Sequence, residues 1–160
     1  APHGVTRVFI ESARDMLSAV EEDLPSDIFI SVAAVADWRA ATNAEQKIKK
    51  KGDTPAPLQL VENPDILAGL AKHKTRPELL IGFAAETEKI VEHATAKLAK
   101  KGCDWIVAND VSGDVMGGTH NAVTLVTAEG HDAWDDAPKD AVARKLIEKI
   151  VEKIGDTDER

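Results

Sequence analysis

The chain has 160 residues, of which 43% are hydrophobic and 30% charged, a balance typical of a single globular domain and not of a disordered or fibrous protein. Its formal net charge of -8 repels polyanions, so DNA and RNA are not expected as partners. A single cysteine, Cys103, excludes an internal disulfide, and the sequence contains no apolar run of about 20 residues that could span a membrane. We therefore expect a cytoplasmic protein without a membrane partner, which binds any phosphate-bearing ligand through local lysines and backbone N–H groups.

Apolar patterning predicts strands that alternate with helices. Short clusters of β-branched and aromatic residues predict strands, and apolar residues that recur every three or four positions predict helices. Capping signals mark three helix ends, namely Ser12 with Asp15, Asn63 with Pro64, and Gly102. In chain order the prediction is strand 5–10, helix 12–24, strand 27–35, mobile loop 36–56, strand 58–61, a helix from 63, strand 79–83, helix 86–101, strand 104–108, loop 109–121, a hairpin with strand 122–127 and turn 129–130, and a last helix 136–155.

The alternation predicts an α/β fold, namely a three-layer parallel sheet with helices on both faces and a hairpin at its C-terminal edge. Ligands of such sheets bind beyond the C-terminal ends of the strands. The loops that leave those ends are 36–56, 63–67, 84–87 and 109–121, and they hold most of the unusual polar residues. The sequence therefore predicts a ligand site where these loops meet.

Several common motifs are absent. The sequence has no G-x-G-x-x-G fingerprint, no P-loop, no H-E-x-x-H and no paired C-x-x-C. Its five histidines are scattered, so no metal site built by the protein is predicted. These absences disfavour a dehydrogenase, a P-loop kinase, a zinc protease and a zinc ribbon.

The segment SVAAVADWR, residues 31–39, places small side chains and then an acid at the end of a predicted buried strand. Small side chains let a ligand approach the backbone closely. Asp37 could then bind a ribose hydroxyl or a magnesium ion shared with phosphates. Close strand–helix packing, with Asp37 as a turn cap, explains the same pattern.

Two groups of lysines could bind phosphate. Lys47 and Lys49–Lys51 lie in a polar loop, where a lysine could neutralise charge on a phosphoryl group, although a solvated basic run is the simpler interpretation. Lys97 and Lys101 are four residues apart on one predicted helix face, where an anion between them would relieve their mutual repulsion. Repulsion alone does not identify a site.

Other residues allow both a functional and a structural interpretation. The turn 63–66 has free N–H groups that could bind a phosphate or the edge of a base, and plain helix capping explains it equally well. Cys103 follows a helix and precedes a buried strand, so we interpret it as a small buried hydrophobe and not as a nucleophile. Trp38, Trp105 and Trp134 are interpreted as packing residues.

Five segments, AAVADWRAA, KIKK, VENPDIL, GFAAET and ANDVS, occur in an order and spacing that resemble the bacterial phosphopantothenate–cysteine ligase family. The likeness runs from about Val5 to the last helix. It implies a Rossmann-like fold and a homodimeric enzyme of coenzyme A biosynthesis. This enzyme would join 4'-phosphopantothenate to cysteine, with CTP and magnesium, through an acyl-cytidylate. Members often follow an FMN-dependent decarboxylase on one polypeptide, so FMN is implied only where that domain is fused.

The resemblance also implies roles for individual residues. Lys47 would be the catalytic lysine of a flap, at about 38–56, that closes over the reacting groups. Asn109 and Asp110, in ANDVS, would bind substrate. The implied nucleotide-binding residues are Ser31, Val32, Ala33, Asp37, Lys47, Pro64, Asp65, Ile66, Leu67, Phe83, Lys97 and Lys101.

Members of the family begin this domain with a further strand, a glycine-rich turn and an N-x-S-S-G segment, none of which precedes Ala1. The resemblance therefore implies one N-terminally incomplete domain over 1–160, with little ligase activity of its own. A non-catalytic nucleotide-binding or dimerisation module is an alternative. A generic Rossmann-like oxidoreductase is a third, disfavoured by the missing glycine fingerprint. The sequence does not decide between CTP and ATP.

Overall fold

The computed structural model of the chain describes residues 2–42, 57–112 and 118–158. Within these ranges, none of the helices combines the length and the apolar character needed to cross a lipid bilayer. The helices and strands, in chain order, are α1 Ala13–Glu22, β1 Ile28–Ser31, β2 Trp38–Ala40, β3 Leu60–Glu62, α2 Ile66–Ala71, β4 Leu79–Glu86, α3 Ile90–Lys101, β5 Trp105–Asp110, β6 His120–Thr127, β7 Gly130–Pro138 and α4 Lys139–Asp158.

Five of the strands form one sheet in the order β1-β4-β5-β6-β7. The strands β1, β4 and β5 are parallel, whereas β6 and β7 form an antiparallel hairpin at the edge. The strands β2 and β3 pair separately as an antiparallel ribbon. The predicted α/β fold and edge hairpin are confirmed, and the hairpin makes the complete sheet mixed.

The sheet is covered by helices on both faces because side chains along its central strands alternate in direction. On one face, Leu80 and Ile106 belong to a core that also includes side chains of α1, α2 and α3. On the other, Ile81 and Val107 belong to a core that includes α4. All four residues are 0% exposed, so the sheet is buried on both faces at these positions of β4 and β5. This is the three-layer arrangement that continuous apolar strands predict.

Two of the predicted helix ends are confirmed. At the start of α1 the Asp15 backbone N–H donates to Ser12 Oγ at 3.2 Å, and the Ser12 N–H donates to Asp15 Oδ2 at 2.9 Å. This reciprocal pair is a capping box. The helix α3 ends at Gly102, whose φ of 68° lies in the left-handed region that glycine adopts without steric cost.

The prediction of a strand at residues 5–10 is wrong. Within the described residues this segment pairs with no other strand. Val5, Val8 and Phe9 are 56%, 62% and 86% exposed. Residues of high strand propensity do not form a strand without a partner to complete the hydrogen-bonded ladder.

Boundaries around the first loops also differ from the prediction. The strand β1 is shorter than 27–35 and ends at Ser31, the last residue with a partner on β4. The predicted loop 36–56 contains β2, which pairs with β3. The helix predicted from Asn63 begins at Ile66, and its cap is Asp65, whose Oδ1 accepts a hydrogen bond from the Ala68 N–H at 3.2 Å.

Later boundaries shift because strands continue beyond their apolar runs. Glu86, predicted as the first residue of a helix, is the last residue of β4. Asn109 and Asp110, predicted in a loop, end β5. The strand β7 extends to Pro138, where a helix was predicted, and α4 continues past Gly155. In each of the three strands, backbone pairing with a neighbour extends the strand into polar sequence.

Some predicted packing roles are confirmed and others are wrong. Trp105 and Trp134 are buried, but Trp38 is 54% exposed on the β2–β3 ribbon. Apolar spacing in the last helix also predicts that Ile147 packs inward, but its side chain is 53% exposed on α4. Cys103 is buried, and burial raises the pKa of its thiol, which disfavours the nucleophilic thiolate.

Candidate functional site

A cavity of about 680 Å³ opens at the C-terminal ends of β1 and β4. Three parts of the chain form most of its wall. They are the loop 33–37 after β1, the turn 63–67 that begins α2, and one face of α3. The cavity therefore lies at the edge of the parallel strands where ligands of α/β sheets bind.

Most of the predicted nucleotide-binding residues line this one cavity. Val32 does not, and its side chain is 62% exposed. Lys47 and Lys49–Lys51 lie outside the described residues, as does most of the predicted flap. Nucleotide binding itself stays a prediction. The predicted residues that line the cavity are Ser31, Ala33, Asp37, Pro64, Asp65, Ile66, Leu67, Phe83, Lys97 and Lys101.

One side of the cavity is cationic. Lys97, Lys100 and Lys101 line it, and they lie four, seven and eight residues after His93, which also lines the cavity. This spacing places all four residues on one face of α3. The Lys97 Nζ lies 3.1 Å from Glu86 Oε1, and the Lys101 Nζ lies 2.5 Å from Asp65 Oδ2. Lys100 forms no ion pair within the described ranges. This face of α3 can therefore attract a polyanionic ligand.

Glu86 holds the centre of this cationic side. Its side chain is only 14% exposed, and its Oε2 lies 3.3 Å from His93 Nδ1 while Oε1 accepts from Lys97. The strand pairing places Glu86 opposite Asp110, the last residue of β5. A partly buried carboxylate with these contacts restricts the position of the Lys97 ammonium beside the cavity.

Asp65 links the turn before α2 to the end of α3. Burial alone would raise the pKa of its carboxyl group, but the hydrogen bond from Lys101, the one from the Ala68 N–H, and the charges of Lys101 and Lys100 together lower it. The carboxylate is therefore ionised at neutral pH. It caps α2 and restrains Lys101 at the same time.

The two predicted substrate-binding residues end β5 and do not line this cavity. The Oδ1 atom of Asn109 is buried and has no hydrogen-bond partner within the described residues. The Asp110 Oδ1 accepts the Ser112 N–H at 2.9 Å, and hydrogen bonds from Ser112 lower the pKa of Asp110. A buried hydrogen-bond acceptor without a partner lowers the stability of the fold, so the Asn109 Oδ1 atom is a candidate for binding a ligand.

A second cavity of about 460 Å³ lies at the opposite end of the parallel strands, beside the first residues of β1, β4 and β5. The acidic side chains around it are Asp27, Glu78, Asp104 and Glu129, and the one lysine that the structure places there is Lys153. The prevailing negative charge disfavours a phosphate-bearing ligand. The first cavity is therefore the better candidate for the site.

Sequence reasoning missed four polar residues that line the first cavity. They are Asn63, which cross-links two segments of its wall, and Glu86, His93 and Lys100. The helical spacing of His93 and Lys100 with Lys97 could have identified two of them. The sequence pattern favours a helix that begins at Glu86, whereas the residue ends β4. Asn63 fits the pattern of a helix cap, and nothing in the sequence indicates that its side chain contacts Ala36 instead.

Residues 1–154 match the sequence profile of the DNA/pantothenate metabolism flavoprotein C-terminal domain family. The chain belongs to this family. The match extends from the segment before α1 into α4 and includes every residue placed around the cavity. The resemblance stated from the sequence is therefore confirmed.

Similar proteins of this family are bifunctional. The coenzyme A biosynthesis bifunctional protein CoaBC of Haemophilus influenzae is 40% identical over 158 residues, which are 98% of this chain and 39% of that protein. The CoaBC of Escherichia coli K12 is 38% identical over 165 residues, at 99% and 40% coverage. The chain thus spans about two fifths of the length of these relatives.

Solved structures share the fold. The C-terminal domain of a CoaBC protein superposes with a TM-score of 0.77 and 36% identity, over 97% of this chain and 69% of that one. A DNA/pantothenate metabolism flavoprotein from Streptococcus pneumoniae gives a TM-score of 0.71 at 20% identity, over 90% and 71%. The second likeness concerns the fold alone.

Proposed function

We propose that the chain carries the nucleotide-binding part of a phosphopantothenate–cysteine ligase of coenzyme A biosynthesis. One observation carries the proposal: lysines of α3 and the backbone segments 33–37 and 63–67 surround one cavity at the C-terminal edge of the sheet. Similarity to CoaBC proteins supports the assignment to coenzyme A biosynthesis. The cavity volume of about 680 Å³ is adequate for a nucleotide.

The proposed reaction has two steps. A carboxylate oxygen of 4'-phosphopantothenate attacks the α-phosphorus of CTP, the bond to the bridging oxygen breaks, and pyrophosphate leaves with that electron pair. The cysteine amine then attacks the acyl carbon of the acyl-cytidylate, CMP leaves, and the nitrogen loses a proton. A carboxylate is a poor acyl donor, so the nucleotide serves to activate it.

The main contribution of the described residues to this reaction would be electrostatic. Lys97, Lys100 and Lys101 would bind the phosphates and stabilise the charge that pyrophosphate carries as it leaves. Lys47 is proposed to act on the transferring groups from the predicted flap. Asn109 and Asp110 are proposed to contact substrate, where the Asn109 Oδ1 could accept a hydrogen bond from an amide or amine N–H.

Magnesium is proposed to enter with the triphosphate. Within the described ranges no three His, Cys, Asp or Glu side chains are grouped so that they could hold a metal ion. Asp37, which lines the cavity, supplies a single carboxylate. This fits an ion that keeps phosphate and water ligands, as magnesium does in nucleotide sites. Homodimerisation likewise stays a prediction.

Calorimetric titration of the 160-residue chain with CTP, and then ATP, in the presence of magnesium tests the proposal. We expect saturable binding of CTP that requires magnesium and is stronger than that of ATP. Absence of binding, or equal binding of both nucleotides, would favour a non-catalytic module.

In a longer protein that turns over, Lys47→Gln should reduce kcat, and full turnover by that variant would remove the proposed role of Lys47.

A further inference from the structure

Asn63 occupies an unexpected place in the structure. It precedes Pro64 and fits the sequence pattern of a helix cap, yet Asp65 caps α2. The Asn63 side chain turns instead to the loop after β1, where its Nδ2 donates to the Ala36 carbonyl oxygen at 2.8 Å. This hydrogen bond joins two segments that are 27 residues apart in sequence.

Further hydrogen bonds strengthen the same connection. The Asn63 backbone N–H donates to the Asp37 carbonyl oxygen at 2.8 Å, which extends the β2–β3 ladder by one step. The hydrogen bond from the Asn63 side chain then reaches Ala36, the residue before Asp37. On the other side, Arg39 donates through Nη1 to the Glu62 carbonyl oxygen and to Asn63 Oδ1, the latter at 3.4 Å. Both ends of the Asn63 amide are therefore engaged.

The two segments that Asn63 joins both line the cavity. The loop 33–37 leaves β1 at the edge of the sheet, while α3 packs on β4 and β5. The cationic side chains of the cavity lie on α3, whereas the Asn63 side consists largely of backbone and small side chains. Phosphates are best accommodated by the lysines, which leaves the Asn63 side for the nucleoside.

We infer that Asn63 is a positioning residue, which ties the loop 33–37 to the turn 63–65 so that both form one nucleoside-binding wall. The inference rests on the proposed function, because it takes a nucleotide as the ligand. Asn63 need not touch the ligand itself. Its amide sets the separation of two backbone segments, and small errors in such a separation weaken contacts that depend on backbone groups.

Two variants separate this role from general stability. Asn63→Ala removes both side-chain bonds, and Asn63→Leu removes the same two bonds while keeping a side chain of similar size and no charge. Each is titrated with magnesium–CTP and with magnesium–tripolyphosphate, which contains phosphates but no nucleoside. Thermal melting of each variant establishes that it is folded at the titration temperature.

Both variants should bind magnesium–CTP about tenfold more weakly, as expected for the loss of one or two well-placed hydrogen bonds. Both should bind tripolyphosphate within about twofold of the parent chain, because the lysines of α3 are unchanged. Unchanged CTP affinity would overturn the inference. An equal loss for both ligands would also overturn it, since that result indicates general loss of structure.

Hydrogen exchange on the ligand-free chain tests the tie without any nucleotide. Faster exchange is expected in Asn63→Ala at the Asn63 amide, which donates to Asp37, and at the amides of the β2–β3 ladder, with α3 unchanged. Unchanged exchange at these amides would contradict the positioning role of Asn63 even if the parent chain binds CTP. Failure of the parent chain to bind CTP would instead reject the proposed function, so the two failures can be distinguished.

Discussion

At the residue scale, Lys97 combines a partner in the protein with a place at the cavity. Its Nζ lies 3.1 Å from Glu86 Oε1, so the ammonium is partly immobilised before any ligand arrives. A charge fixed in advance loses less side-chain entropy when a phosphate binds. Lys97 should therefore contribute more to phosphate binding than an unrestrained surface lysine does.

We expect Lys97→Ala to weaken magnesium–CTP binding about tenfold, in line with the loss of one charge-assisted hydrogen bond. Lys149 provides the matched control, because it is also ion-paired, with Glu152 at 3.0 Å, but lies on α4 away from the cavity. Lys149→Ala should change the affinity less than about twofold. Equal CTP affinities of the Lys97 and Lys149 variants in calorimetry would contradict the proposal that Lys97 binds the phosphates.

Asp65 gives a prediction about pH. Its pKa is lower in the folded chain than in the unfolded chain, so its contribution to stability is present above the unfolded pKa and is lost as pH falls through the folded one. Urea unfolding of the chain between about pH 2 and 6 should therefore show stability that decreases on acidification. Asp65→Asn should show a shallower decrease. An identical slope would indicate that the contact with Lys101 contributes nothing to folding.

At the scale of elements, close packing between β4 and α2 positions the turn 63–67. Gly82 on β4 leaves no room for a side chain, because an added Cβ would lie 2.6 Å from Leu67 Cδ2 and 2.9 Å from Ile106 Cδ1. Ile106 is fully buried on β5, which limits how far it can move. A methyl group at position 82 would therefore push the first turn of α2 away from the sheet.

Gly82→Ala should reduce the free energy of unfolding by about 1–3 kcal/mol and weaken CTP binding, because Leu67 lies in the first turn of α2 and lines the cavity. Gly69 on α2 is the control, since an added Cβ there meets no atom within 4 Å. Gly69→Ala should stabilise the chain by roughly 0.5–1 kcal/mol through helix propensity. Urea denaturation and calorimetry measure both quantities, and a neutral Gly82 variant would refute the close-packing account.

At the scale of the whole molecule, the cationic side of the cavity is a local exception to an acidic surface. The formal net charge is -8, so the long-range field opposes an anionic ligand. Binding of a triphosphate must therefore rely on short-range contacts with His93 and the lysines of α3. Such contacts persist at salt concentrations that screen the repulsion beyond about 10 Å.

Much of this architecture could be predicted because it depends on local patterns. The apolar runs of β4 and β5, the capping box of Ser12 and the glycine that ends α3 are readable from neighbouring residues. The edge at which ligand-binding loops converge follows from the parallel topology. The general place of the site was therefore predictable.

What could not be predicted depends on contacts between distant residues. Whether residues 5–10 form a strand depends on a partner, and none pairs with them within the described ranges. The role of Asn63 depends on Ala36, which the fold brings within 2.8 Å. Glu86 bonds to Lys97 only because β4 continues past its apolar run to the start of the loop before α3.

The most direct test of the central claim is an NMR titration of the chain with magnesium–CTP, followed through backbone amide shifts. The largest changes are expected in 31–37, 63–67 and 97–101, which surround the cavity. If the largest changes fall at the opposite end of the strands, around Leu79 and Trp105, or if no amide shifts at saturating nucleotide, the assignment of this cavity is wrong.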